Sequence, residues 1–344
     1  MIDFNNSLIT ARAGVSIFLV LDKYFKNGEV AVPANLCYAG IYPVIYSGNT
    51  PVFADVSAKD GNVTLQKFKE ALTENTVAAI VPHMYGNPVA EMPEIAALCR
   101  KNGILLIEDC ASAMGATAQY DLGNMGDYTV YSTGYSKTVD LGMGGLLYSK
   151  KHDVMSFSKA EKSLPEFAEA DKRNEALFSR IYRLLRNEGN GTPLESAIYK
   201  EIPKACKNMF LHRISVEDSE RIKVQLNVLP EIIKKRRECQ QRYEKNLKNA
   251  NIEIYNYSSG AVPWRFNFFV DEANRKKIIY ECLKNQLPIS DWYPCVTNMF
   301  GVPTESFAGA KKHENTVLNF PIPISDTETD EICEKFLCIV GKRR

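Results

Sequence analysis

The chain predicts an α/β fold: a mostly parallel sheet wound with helices, followed by a smaller α+β unit. Three observations lead there. Short apolar runs at 104–109 and 126–132 are bounded by polar and glycine-rich turns and are too short for helices. That is the signature of strands buried on both faces of a sheet. Such runs alternate with helical stretches up to about residue 150, the rhythm of strands joined by crossover helices. Beyond residue 205 helices and short strands mix without that rhythm, which divides the chain into a large domain, 1–205, and a small one, 206–344.

Residues 10–25 read as a helix with Ile17, Phe18, Val20, Leu21 and Phe25 on one face and Thr10 as its N-cap. A strand follows at 29–33 and a helix at 35–46. The pattern repeats with a strand at 76–81 and a helix at 92–100 carrying Ile95, Ala97 and Leu98. Three apolar runs then end at or beside polar residues: 104–109 at Asp109, 126–132 at Ser132, and 142–148, which follows Gly134-Tyr135-Ser136-Lys137. These three read as further strands of the parallel sheet. Residues 150–202 are helical and charged. Phe178, Ile181, Tyr182 and Leu185 recur at helical spacing, with Arg180, Arg183 and Arg186 on other faces as a solvated basic surface or, alternatively, a phosphate contact for substrate or a neighbouring subunit. Residues 187–193 have loop composition. A long charged helical stretch, 215–250, restarts at Pro230. Strands at 252–255, 264–270 and 317–320 and helices at 273–284 and 327–340 complete the small domain.

With 344 residues, 45% of them apolar, the chain can build two sizeable cores. Its 42 basic and 41 acidic residues give a net charge of +1, which leaves no basic excess for nucleic acid. No apolar run approaches the roughly 20 residues of a membrane helix, and the N-terminal residues lack the basic and apolar regions of a signal peptide. Nine cysteines, odd in number and without a C-x-x-C pair, point to a reducing compartment rather than a disulfide framework or zinc site. The four histidines show no metal-ligand spacing. The expectation is a cytoplasmic protein that binds no metal.

In open α/β sheets, ligands sit beyond the carboxyl ends of the strands. That rule gathers an acid, Asp109, a hydroxyl, Ser132, and a lysine, Lys137, at one crevice. Taken singly, the aspartate is a cap or turn residue and the lysine a solvated surface charge. Together they suit pyridoxal 5'-phosphate (PLP), which needs a lysine for a Schiff base, an acid for its ring nitrogen, and hydroxyl and N–H groups for its phosphate.

The same residues carry a resemblance. Val32-Pro33 through Gly48, residues 50–56, and Val81-Pro82-His83-Met84-Tyr85-Gly86 are followed by Ile107-Glu108-Asp109-Cys110-Ala111-Ser112-Ala113-Met114-Gly115-Ala116. Gly126-Asp127, Ser132, Lys137 and Gly142-Met143-Gly144-Gly145 complete the series. In order and spacing the chain resembles the PLP-dependent sugar aminotransferases of the DegT/DnrJ/StrS family, within fold type I, over most of residues 10–150. The resemblance implies that Lys137 is the Schiff-base lysine, Asp109 the partner of the pyridine nitrogen, and Ser132 a phosphate ligand. It places Ala11 and Arg12 at the helix start that offers N–H groups to the phosphate.

Four positions depart from the family pattern. Cys37 stands where many relatives stack an aromatic on the cofactor ring, with Tyr38 the alternative. Ser112 replaces a longer amide or imidazole, and Met143 replaces an acid. In Leu211-His212-Arg213 the family's asparagine is lost and its arginine kept, so Arg213 is the remaining candidate for an intersubunit contact. His83, Arg265 and Trp292 are further candidates to face the substrate.

What the resemblance implies is transfer of an amino group from an amino acid, usually glutamate, to the keto group of a nucleotide-linked sugar. Cell-surface polysaccharide or secondary-metabolite biosynthesis and a two-fold dimer go with it. A smaller phosphorylated ketone is the alternative acceptor, and a non-catalytic regulatory or binding protein on the same fold the alternative role. The latter would have shed the lysine or the acid, and the family's dehydratases replace the lysine with histidine. A dehydrogenase would want G-x-G-x-x-G after the first strand, where Ala34-Asn35-Leu36-Cys37 stands instead.

Overall fold

The computed structural model describes residues 4–188 and 192–341. The first half runs β1 (Leu8–Thr10), α1 (Ala13–Tyr24), β2 (Glu29–Pro33), α2 (Tyr38–Tyr46), β3 (Thr50–Ala54), α3 (Leu65–Ala71), β4 (Thr76–Pro82), α4 (Met92–Lys101), β5 (Leu105–Asp109), β6 (Tyr128–Ser132) and β7 (Gly145–Tyr148). These strands form one sheet in the order β1-β7-β6-β5-β4-β2-β3. Neighbours from β3 through β6 pair in parallel. Every residue of β6 is buried, as is nearly all of β5, because helices cover both faces of the sheet. α4 turns Met92, Ile95, Ala96 and Cys99 onto one face.

The third apolar run departs from the expected parallel arrangement. β7 pairs antiparallel with β6 and with β1. Its connection, residues 133–144, is a short return without a helix that folds the chain back beside the strand it has just left. Thr10 is likewise not a helix cap. It closes β1 opposite Gly145, and its Oγ1 bonds the Arg12 carbonyl and Ser16 Oγ, each at 2.9 Å. The position before α1 belongs to Arg12, which makes no side-chain cap. α2 begins at Tyr38 rather than 35, since Asn35 instead donates to the Gly61 carbonyl at 2.9 Å.

The second half adds α5 (Ser158–Lys162), α6 (Glu169–Glu188), α7 (Pro193–Ala205), α8 (Val216–Leu226), α9 (Leu229–Leu247), β8 (Glu253–Ile254), β9 (Phe266–Phe269), α10 (Glu272–Lys284), α11 (Ala308–Thr316), β10 (Val317–Phe320) and α12 (Asp326–Val340). Of the expected loop at 187–193, α6 takes the first two residues, Pro193 opens α7 behind Thr192, and 189–191 lie outside the described residues. Met209, Phe210, Leu211, Ile222 and Leu229 all pack with the large sheet. A separate core forms around Tyr243, Phe266, Phe268, Phe320 and Phe336, between the antiparallel sheet β10-β9-β8 and α9, α10 and α12. Among the described residues no helix is long and apolar enough to cross a membrane.

One ionic contact ties the end of β3 to α11. Asp55 accepts from the N–H groups of Gly309 (2.9 Å) and Ala310 (2.8 Å) in the first turn of α11, and from Lys67. Burial alone would raise its carboxyl, but Lys67 and the two N–H groups outweigh it and hold the carboxyl below the ordinary range. A depressed aspartate stabilises the fold above its unfolded value, near pH ~3.9, and that stabilisation fades as pH falls further. Asp55→Ala should cost about 2 kcal/mol at pH 7. Urea midpoints of wild type and variant should begin to draw together as pH falls below ~4; a gap that does not narrow with falling pH would refute the ionic reading.

Candidate active site

β5, β6 and the return into β7 deliver three side chains to one cavity of about 390 Å³ beyond the carboxyl ends of the strands. Asp109 ends β5, is 8% exposed, and accepts from the Ala111 N–H at 2.8 Å. Lys137 donates from Nζ to Ser112 Oγ at 3.0 Å. Burial raises the Asp109 carboxyl; the Ala111 N–H, Lys137 and His83 only reduce that rise. Burial by itself would lower the Lys137 amine, yet Tyr293, Cys37 and Asp109 outweigh it and leave the amine raised. The serine that replaces a longer side chain at 112 is thus an acceptor for the lysine.

The floor beside them is the N-terminus of α1. Helix geometry leaves its first N–H groups without intrahelical partners, and Ala13 and Gly14 both line the cavity. Two glycines permit this close approach. A Cβ on Gly14 would stand 2.8 Å from the Ala39 carbonyl, and one on Gly145 would stand 2.3 Å from the Ala13 nitrogen. Ser132 Oγ accepts from the Gly134 N–H at 3.1 Å and reaches the Gly144 carbonyl at 3.4 Å. Ala11 is corrected here: it is buried, its carbonyl accepts from Gly144 at 2.7 Å, and it does not line the cavity. Ala13 and Gly14 stand at the helix start instead, because β1 takes Thr10 and α1 begins only at Ala13. Arg12 does line the cavity, with its guanidinium paired to Glu175 of α6 at 2.7 Å.

Cys37, Tyr38, Trp264, Arg265 and Trp292 all border the same space. Tyr38 is tied into an aromatic cluster, 4.7 Å from Tyr182 and 5.7 Å from Phe178 between ring centres. Burial raises the Cys37 thiol, against the pull of Lys137. Arg265 lies over Trp264 at 4.8 Å and donates to Ser136 Oγ at 3.1 Å, while its Nε has no partner.

Two expected residues take other places. Arg213 is outside the cavity, paired with Glu166 on an exposed surface. Arg186 is not a solvated face residue: it lies 4.9 Å over Trp292 and pairs with Asp291 at 2.8 Å. Tyr293, in the 290–294 stretch beside Trp292, also lines the cavity and faces the lysine.

His83 reaches the cavity wall, but both ring nitrogens are engaged. Its Nδ1 accepts from the Val89 N–H at 3.0 Å, so the proton sits on Nε2 and is donated to Glu108 at 3.0 Å. Glu108, fully buried, also accepts from the N–H groups of Gly123 (2.8 Å), Met125 (2.9 Å) and Gly126 (3.3 Å). Cys110 lies close to both. With the imidazole and carboxylate saturated in this way, the trio is a structural knot.

A buried carboxyl at the end of β5 and a lysine in the loop after β6 stand above a helix N-terminus closely approached through glycine. The profile of the DegT/DnrJ/EryC1/StrS aminotransferase family matches residues 7–336. The chain belongs to this family.

Within the DegT/DnrJ/EryC1/StrS family the chain is similar to UDP-N-acetyl-3-dehydro-alpha-D-glucosamine 3-aminotransferase of Acidithiobacillus ferrooxidans. That similarity is 40% identity over 121 residues, 35% of this chain and 32% of that one. It is also similar to the spore coat polysaccharide biosynthesis protein SpsC of Bacillus subtilis, at 25% identity over 94% of this chain and 83% of that one. The matches span about a third of the length of three curated relatives (32%, 35% and 34%). Among solved structures, NtdA from Bacillus subtilis with bound cofactor PMP superposes with a TM-score of 0.69 at 18% identity, covering 98% of this chain and 73% of that one. At that identity the likeness concerns the fold, and the mixed α/β architecture is the one it shares.

Glu108→Gln tests the knot beneath this family site. The amide keeps the shape but turns a donor toward N–H groups that need an acceptor, so the variant should lose about 3 kcal/mol or more. Urea denaturation followed by circular dichroism reads this directly; a loss below about 1 kcal/mol would show the four bonds to be dispensable.

Proposed function

We propose that the protein is a PLP-dependent aminotransferase. It moves an amino group from an amino acid, with glutamate the expected donor, to the keto group of a nucleotide-linked sugar. We place it in the cytoplasm, as a homodimer, in cell-surface polysaccharide or secondary-metabolite biosynthesis. The observation that carries this reading is the Lys137 amine in one cavity with Asp109, above the N-terminus of α1. The names of the relatives, a UDP-sugar aminotransferase and a polysaccharide biosynthesis protein, support the acceptor class and the pathway class.

The residues present fit the cofactor. The cavity holds a lysine for its aldehyde and a buried carboxylate for its ring nitrogen. Its phosphate would be held by the N-terminus of α1 and the Ser132 hydroxyl. When bound, PLP supplies an electron sink for the pair left on the donor's α-carbon. The protein supplies the rest.

Lys137 Nζ attaches the cofactor and, once released, carries the proton taken from the donor's α-carbon. Asp109 gives the ring nitrogen an anionic partner. Burial raises its carboxyl within the protein alone, and a cation on the ring would favour its charged form. Ser112 accepts from the lysine and so aims the amine within the cavity. Arg265, with an unpartnered Nε at the wall, is placed to meet the donor's carboxylate.

Purified with PLP, wild type should show a visible absorption band that changes when glutamate is added. Borohydride should leave the cofactor's mass on the peptide containing Lys137. Lys137→Ala should lack both, with transamination reduced about 1,000-fold. A protein that stays colourless with PLP in excess would overturn the enzyme reading; a band indifferent to glutamate would overturn only the donor.

A further inference from the structure

We infer that Arg236 is a positioning residue for Lys137, setting the lysine loop from α9. It stands on α9, 4% exposed, and every hydrogen bond its guanidinium makes goes to a main-chain carbonyl. NH2 donates to Lys137 at 2.7 Å and Nε to Thr138 at 3.3 Å. NH1 is shared among the carbonyls of Pro263 (3.3 Å), Trp264 (2.9 Å) and Ile322 (3.0 Å). None of these acceptors is a carboxylate.

The lysine loop is held at three successive carbonyls. Trp264 Nε1 donates to Ser136, and Arg236 donates to Lys137 and Thr138. Arg265 adds a bond to Ser136 Oγ at 3.1 Å. Ser136 itself sits at a φ of 59°, in the left-handed region that a non-glycine residue occupies at a cost. Successive carbonyls fixed on both sides of Lys137 determine where its Cα–Cβ bond points, and hence where Nζ lies.

Burial pushes the Arg236 guanidinium down to about 10, only partly offset by Asp140, so the group stays charged at neutral pH. A buried cation matched to carbonyl dipoles contributes little net stability compared with an apolar residue of similar volume. What it does supply is a rigid fork joining three chain segments, a geometry lysine cannot reproduce. Arg237, next in sequence, provides the contrast. It too donates to carbonyls, of Ala261 (3.2 Å) and Gly260 (3.4 Å), but it makes no bond to the lysine loop.

The inference rests on Lys137 being the attachment residue, and the test separates the two. Arg236→Lys, Arg236→Ala, Arg237→Ala and Lys137→Ala are loaded with PLP, and borohydride-trapped mass, the pH titration of the visible band, kcat and KM are read. Both Arg236 variants should show a lower trapped fraction and a displaced band titration. Their kcat should fall about 100-fold, the scale of a misplaced catalytic group, while KM for glutamate changes little. Millimolar guanidinium should restore trapping in Arg236→Ala, and Arg237→Ala should behave as wild type.

Arg236 variants with wild-type trapping, titration and kcat would overturn the inference and leave the functional reading standing. Trapped mass persisting in Lys137→Ala would overturn the functional reading itself. Where neither Arg236 variant folds, Arg236→Gln decides, since its shorter amide fills similar space but cannot span Lys137, Thr138 and Trp264 together; wild-type trapping, titration and kcat there would also overturn the inference.

Discussion

A single buried carboxylate, Glu108, organises the end of the central strand on which the site depends. A charge withdrawn from water persists only where donors replace the lost solvent. Here three N–H groups of the loop between β5 and β6 and the His83 imidazole do so. The loop is therefore wrapped around the strand end and delivers β6 in register, Glu108 beside Thr129 and Asp109 beside Val130. Because successive strand residues point to opposite faces, anchoring Glu108 below the sheet turns Asp109 upward into the cavity. Ser132, three residues beyond Thr129 on β6, reaches the same rim.

What the sequence revealed follows the range of the interactions. Asp109, Ser132 and Lys137 were legible because each is placed by its own short segment: a strand end, a strand end and a tight glycine-bounded loop. The parallel half of the sheet was legible for the same reason, since a strand and its following helix carry their periods within about 25 residues. Thr10 misled because its side chain suits a helix cap equally well. Only the partner strand β7, more than 130 residues away, makes it a strand residue. The direction of β7 was hidden too, because composition does not say whether 133–144 crosses over or turns back.

Arg236 shows the limit most clearly. In the sequence it is one charge in Lys234-Lys235-Arg236-Arg237, and its neighbours Lys234 and Lys235 are indeed exposed. Helical phase decides the difference. Arg236 shares a face with Cys239, Gln240 and Tyr243, all buried, three, four and seven positions on. Its partners lie 27 to 99 residues away in sequence and carry no local signature, because a main-chain carbonyl is present at every position.

The distribution of charge bears on how an anion is recognised at the helix end. Arg12 adjoins the N-terminus of α1 and would be the natural side chain to meet a phosphate, but its guanidinium is paired with Glu175. Glu175 lines the cavity as well, so the net charge that this pair brings to the site is near zero. On the proposed reading, the attraction for a phosphate at this end of the cavity would then come from the N-terminus of α1, its dipole and the Ser132 hydroxyl. Such donors are fixed in direction and bind a tetrahedral anion by geometry as much as by charge. That explains why the absence of Cβ atoms at Gly14 and Gly145 matters more here than the presence of an arginine: without those two bare positions, α2 and β7 could not close against the start of α1.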